Sequence, residues 1–127
     1  MRVLLDTHIA LWAVTDHPSL TPHARQLISD AQNVFVSAAS IWEIAVKHAL
    51  GRSTIGFSGG EALEAFTAAG FELLSISAQH AAAVDTLAPL HADPFDRMLI
   101  AQAQTEPLHL LTHDAQLARY SPLITLV

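Results

Sequence analysis

The sequence predicts an α/β domain: a mostly parallel sheet of about five strands with helices on both faces. Three observations carry that expectation. Short apolar runs recur without polar alternation, the pattern of strands buried on both faces. Stretches of helical periodicity separate them. Ser, Thr, Asp, Pro and Gly stand at the joins, where caps and terminators belong. The 127 residues, 51% hydrophobic and 14% charged, fit one domain, 1–127, with ample apolar surface for a core.

Val3-Leu4-Leu5 is the first strand and ends at Asp6. Residues 7–14 read as a helix carrying Ile9, Leu11 and Trp12, and 16–19 as a turn. Thr21 caps a second helix with Pro22 at its first position, and Leu27 and Ile28 supply part of its apolar face. Val34-Phe35-Val36 is the second strand. Ser37 then caps a helix over 38–50, which Gly51 closes as a left-handed terminator. The Gly- and Ser-rich stretch 52–60 reads as the longest loop, and 60–69 as a helix with Leu63 and Phe66. The third strand spans 71–74, Ser77 caps a helix through Leu87, and 88–91 is a linker. Asp93-Pro94 opens a helix to about Thr105, which Pro107 stops. The fourth strand at 108–111, a short helix at 115–119 and an edge strand at 123–126 complete the pattern.

The absence of cysteine excludes disulfides, thiolate metal sites and cysteine nucleophiles. A formal charge of −6 argues against a broad electrostatic grip on nucleic acid. It leaves open an enzyme whose clustered carboxylates hold Mg²⁺ or Mn²⁺, the ion then meeting the phosphate. Eight histidines make the charge sensitive to mild acid. No apolar run is long enough to span a bilayer, and the acid at position 6 comes too early for a signal peptide. A cytoplasmic protein without membrane association is expected.

In an open parallel sheet, ligands bind beyond the carboxyl ends of the strands. Asp6, Glu43, Asp96 and Asp114 all fall at or near that edge. Each alone has a structural explanation. Asp6 and Asp114 can cap the helices that follow them. Glu43 stands four residues before Lys47, the favourable order for a helical ion pair. Asp93 and Pro94 form a cap and first turn, in which Asp96 favours the helix dipole. Capping does not account for Glu43, whose neighbours Ile41, Trp42, Ile44, Ala45 and Val46 leave little free surface for a charge. Nor does it explain why the acids gather on one edge. Several carboxylates without cysteine suit a hard divalent ion better than zinc.

At these residues the chain resembles PIN-domain proteins, more specifically the VapC-type toxins of bacterial toxin–antitoxin pairs. The matching segments are Leu4-Leu5-Asp6-Thr7-His8, Ser37-Ala38-Ala39-Ser40-Ile41-Trp42-Glu43-Ile44-Ala45, Asp93-Pro94-Phe95-Asp96-Arg97-Met98-Leu99-Ile100-Ala101-Gln102-Ala103 and Leu111-Thr112-His113-Asp114. Any one is weak, but together they span nearly the whole chain in the family's order. The resemblance implies a three-layer α/β/α sandwich and a Mg²⁺- or Mn²⁺-dependent endoribonuclease. RNA would be hydrolysed by metal-activated water, leaving 5′-phosphate and 3′-hydroxyl ends. The acidic quartet falls on Asp6, Glu43, Asp96 and Asp114. Asp6 and Asp96 would be direct ligands, Asp114 a ligand directly or through water, and Glu43 the group that positions or deprotonates the attacking water. The resemblance also implies a homodimer, an antitoxin that covers the site, and a transfer or ribosomal RNA substrate.

Supporting roles fall to Asp93 as a cap beside the site and to Thr7 and Thr112 as hydroxyl partners of the ligands or of local backbone. Arg97 is either a phosphate contact or an ion-pair partner of Asp96. His8 and His113 flank site acids, where they can help to bind RNA; a lone histidine is more often structural, and both stand outside the catalytic set. The other histidines have no distinguishing spacing, and Trp12 and Trp42 are expected in the core rather than as base-stacking platforms. The helices at 38–50 and 60–69 are expected to offer an apolar face to a second copy or an antitoxin. The alternative reading is a catalytically silent PIN-like module that binds antitoxin or RNA, against which the complete quartet speaks. A receiver domain wants an acid ending the third strand, where Leu74-Ser75-Ile76 stands. A haloacid-dehalogenase-type phosphatase wants one where His8 stands.

Overall fold

The computed structural model describes residues 1–52 and 56–127. In chain order the elements are β1 (Arg2–Leu5), α1 (Thr7–Thr15), α2 (Pro22–Asp30), β2 (Asn33–Ser37), α3 (Ala38–Ala49), α4 (Gly59–Ala68), β3 (Glu72–Leu74), α5 (Ala78–Ala83), α6 (Pro94–Thr105), β4 (His109–Thr112), α7 (Ala115–Ala118) and β5 (Ile124–Leu126). The five strands form one sheet in the order β3-β2-β1-β4-β5, and every neighbouring pair is parallel. Alternate residues of a strand face opposite sides. Val3 and Leu5 of β1, with Leu111 of β4, join Ile9, Leu11, Ala24, Ile44 and Phe66 in one core cluster, under α1 to α4. Leu4 and Leu110 face the other way, onto Leu99, Ile100, Ala103 and Leu117 of α6 and α7. The result is the expected three-layer α/β/α arrangement.

The chain leaves β1 outward through β2 to β3, then returns to the far side of β1 for β4 and β5. Strand order therefore reverses between β1 and β4. A crevice opens beyond the carboxyl ends of the strands at such a reversal. Asp6 ends β1 there, and its backbone N–H donates to Leu111 O at 3.0 Å.

Most predicted starts hold because the caps form. Thr21, Ser37 and Ser77 each accept a backbone N–H from the first turn of the following helix. Gly51 ends α3 at φ 66°, a left-handed conformation that glycine adopts without strain. The helix expected through Leu87 is shorter: α5 ends at Ala83, and Val84–Thr86 tightens into a 3₁₀ turn. Thr86 Oγ1 donates to Ala83 O at 2.7 Å, and the Arg97 guanidinium takes the carbonyl oxygens of Val84 and Leu87. Those bonds satisfy the end of the helix at that point. Strand β4 is shifted by one residue from its expected span, because Val127 N–H pairs with Thr112 O at 2.8 Å and extends it. The loop expected over 52–60 lies partly outside the described residues. Among the described residues, no helix is long and apolar enough to cross a membrane.

Helices α3 and α4 meet at Gly59. A Cβ built there would lie 2.8 Å from Ala45 Cβ, which is short, rigid and unable to swing away. Gly59→Ala should therefore push α4 off α3 and destabilise the fold by about 1–3 kcal/mol, the usual scale of overpacking. Chemical denaturation checks this, and an unchanged midpoint would show that the helices part freely.

Candidate active site

Asp6 is buried after β1, and both its oxygens are engaged. Oδ1 accepts Ile9 N–H at 2.9 Å, which caps α1, and Oδ2 accepts the Thr112 hydroxyl at 2.6 Å. Thr112 Oγ1 in turn accepts Asp114 N–H at 3.0 Å. One hydroxyl thus ties the acid after β1 to the acid after β4. Burial pushes the Asp6 carboxyl above its ordinary value, and the Thr112 hydroxyl and Ile9 N–H oppose the shift.

Glu43 reaches the same region from α3. It is almost wholly buried, as its apolar neighbours require. Thr7 Oγ1 donates to Glu43 Oε1 at 2.7 Å and lies 2.9 Å from Ser40 Oγ. Since the Thr7 hydroxyl has one hydrogen, Ser40 donates to it. Lys47 Nζ holds the second oxygen, Oε2, at 2.5 Å. The helical ion pair read from the sequence is therefore present, but its acid is inside the protein and only its lysine is half-exposed.

Asp93 and Asp96 occupy the two roles their spacing suggests. Asp93 Oδ1 accepts Phe95 N–H at 2.8 Å and Asp96 N–H at 3.1 Å, capping α6. Asp96 projects from the first turn and is pushed up to about 6. Burial is the first cause; the charges of Asp93, Glu43 and Asp6 add to it, and a hydrogen bond from His91 opposes it. That three other carboxylates are felt at Asp96 is an electrostatic statement of convergence. Asp114 caps α7 through Gln116 N–H at 2.9 Å and keeps its other oxygen toward the cleft.

His91 was not singled out by the sequence. Its Nε2 lies 2.9 Å from Asp96 Oδ2 and 3.7 Å from Asp114 Oδ2. One atom each from His91, Asp96 and Asp114 lie within 4.8 Å of one another, a spacing that could surround a divalent cation. The donor set, oxygen-rich with one imidazole and no sulfur, fits Mg²⁺ or Mn²⁺. So does the raised Asp96 carboxyl, since a cation among mutually repelling acids relieves the repulsion. The only sequence signal for His91 was its place five residues before Asp96.

Two expectations are corrected. Arg97 neither pairs with Asp96 nor faces the cleft. Its guanidinium donates to the carbonyl oxygens of Val84, Leu87, Ala88 and His91 and to Tyr120 Oη. The planar fork meets carbonyls on several sides and shapes the linker that carries His91. Trp42 is not a core residue: it is 56% exposed and meets Phe95 edge-on at 4.9 Å. An apolar residue on a mostly apolar helix reads as inward, and helical periodicity does not distinguish a buried face from an unpartnered one. Trp12 is partly buried against the core and also lines the cleft. That cleft, of about 420 Å³, is bounded by Asp6, His8, Trp12, His113, Asp114 and Ala115.

The model of the family described as "PIN domain" matches residues 3–122. No curated protein sequence matches the chain. Among solved structures, VapBC2 from Rickettsia felis, bound to a promoter DNA fragment, is similar at TM-score 0.70 and 19% identity, over 100% of this chain and 98% of that one. DNA-bound VapBC from Salmonella typhimurium is similar at TM-score 0.68 and 18% identity, over 100% and 97%. The Mycobacterium tuberculosis toxin VapC20, described as cleaving the sarcin–ricin loop, is similar at TM-score 0.62 and 11% identity, over 92% and 93%.

Proposed function

The chain belongs to the PIN-domain family, and on that footing we propose that it is a metal-dependent endoribonuclease of the VapC type, the toxin of a toxin–antitoxin pair. The observation that carries the reading is the meeting of acids from four separate elements at the sheet's reversal point. Thr112 bonds Asp6 and the Asp114 N–H, His91 stands between Asp96 and Asp114, and Glu43 accepts the hydroxyl of Thr7, the residue next to Asp6.

In this reading Asp96 and Asp114, the two acids that converge with His91, would hold Mg²⁺ or Mn²⁺ together with Asp6, and Thr112 orients Asp6 and Asp114. The cation supplies a water of lowered pKa and a counter-charge for the phosphate. Glu43 has one oxygen on Thr7 and the other near Lys47, so it suits orienting a water better than carrying a proton away. Asp93 holds the start of α6 and thereby the aim of Asp96. Hydrolysis by water leaves 5′-phosphate and 3′-hydroxyl ends. Transfer or ribosomal RNA is the proposed substrate class.

We further assign an antitoxin as partner and a homodimer as the resting assembly. Three of the structural neighbours are toxin–antitoxin complexes, and Trp42, Leu50 and Leu63 leave apolar surface exposed on and after α3 and on α4.

Purified protein incubated with total cellular RNA should produce discrete cuts with Mn²⁺ or Mg²⁺ and none with a chelator. The new ends should be ligatable as 5′-phosphates. Equal cutting in chelator would overturn metal dependence, and no cutting with either ion would favour the silent binding module.

A further inference from the structure

We propose that Trp12, flanked by His8 and His113, is a stacking seat for one unpaired base of the RNA strand being cut, a specificity element beside the acids. The inference rests on the nuclease reading above and adds how the strand is held.

Three rings meet at Trp12 in addition to its own. His17 stacks nearly parallel to the indole, 5.7 Å away with 21° between planes. His8 lies 5.8 Å away at 52°, and His113 lies 5.3 Å away at 73°. His17 stacks on the indole, while His8 and His113 meet it at steep angles. His8, His113 and Trp12 line the same cleft as Asp6 and Asp114. Its volume of about 420 Å³ is within the range of small-ligand sites. The indole is thus neither sealed in the core nor alone on the surface, and it shares its cleft with two of the acids.

The charge pattern favours such a seat. The chain has six Lys and Arg in all. Lys47 is held by Glu43, Arg25 by Asp16, and Arg97 by backbone carbonyls. Arg2 lies over Phe35, at the opposite end of β1 from Asp6. Proteins that grip RNA through its backbone use clustered cations; three of the six are engaged away from the acids, and the charge of Lys47 is offset by Glu43. Base stacking on aromatic rings is the other general source of affinity for single strands. It requires a base out of its helix, so the seat selects loops, bulges or single strands over duplex.

Two measurements test this. In a Trp42→Phe background Trp12 is the remaining indole, and its fluorescence should be quenched by oligoadenylate in Ca²⁺ but not by the oligoadenylate–oligouridylate duplex. On an RNA that the wild type cuts, Trp12→Leu should raise KM by about 5- to 150-fold with kcat nearly unchanged, and Trp12→Phe should recover most of the loss. Equal quenching by duplex, an unchanged KM in Trp12→Leu, or a fall confined to kcat would overturn the seat. If the wild type cuts and Trp12→Leu cuts equally well, only the seat falls. If the wild type cuts no RNA with either metal, the nuclease reading falls and the seat with it.

Discussion

Asp96→Asn is expected to end RNA cleavage and, at the same time, to raise the melting temperature of the metal-free protein. The first effect follows from the proposed ligand role. Losing one preorganised electrostatic contact to a transition state lowers rates on the order of 10²- to 10³-fold, and removing a direct ligand should do no less. The second follows from the carboxyl itself, which is pushed to about 6 from an ordinary 3.8. An acid whose folded-state pKa is raised opposes folding while it is ionised. That opposition is full above pH 6, is relieved as the pH falls from about 6, and is gone below about 4. The stability gap between Asp96→Asn and wild type should therefore be widest near neutral pH and close by about pH 4. Adding Mn²⁺ should reverse the order, since the cation stabilises only the protein that binds it. Asp93→Asn is the control: asparagine caps as well as aspartate, so cleavage should persist. A variant Asp96→Asn that still cuts would remove Asp96 from the ligand set, and one that melts lower at neutral pH would refute the electrostatic account.

Thr112→Val should cost about 1.5–3 kcal/mol and move the acidic limb of the pH–rate profile upward. Valine keeps the shape of threonine but has no hydroxyl. The Thr112 hydroxyl donates to a buried carboxylate, and hydrogen bonds to charged groups contribute on that scale. It is also the largest influence opposing the upward shift of Asp6. Without it Asp6 takes up its proton at higher pH, so the ionised form needed to hold a cation is lost sooner on acidification. The stability penalty should shrink at low pH, where Asp6 is protonated in either protein. Thr112→Ser should restore both properties. A profile unchanged in Thr112→Val would mean that Asp6 is not the group titrating on that limb.

The architecture was legible because local and global signals agree along this chain. Val3-Leu4-Leu5 and Val34-Phe35-Val36 are apolar on both faces, and both lie inside the sheet. Thr21, Ser37, Ser77 and Asp93 mark helix starts by chemistry that needs no tertiary context. The four acids could be placed because strand ends in a parallel sheet define an edge. What was not legible depended on side chains crossing between elements. His91 sits in a linker without periodicity, and its position follows from the carbonyls that Arg97 gathers around it. Adjacency suggests that Arg97 pairs with Asp96, yet an arginine next to an aspartate on a helix points to a different side. The outward Trp42 and the cleft-lining Trp12 depend on which helical surface finds a partner, which sequence spacing does not encode.

The bond between Thr112 and Asp6 joins positions 106 residues apart, and this has a bearing on when the chain becomes active. Synthesis delivers the N-terminal elements first. Asp6, Thr7 and Glu43 exist early, but β4 must pair with β1 before Asp6 gains its hydroxyl partner and Asp114 its place. A contact of such sequence separation closes late, because the intervening chain must be ordered before it repays the loss of freedom. Nascent and partly folded chains would then carry most of the acids without an assembled centre. For a protein whose proposed activity is destructive to the cell that makes it, competence arrives only with the last strands of the sheet.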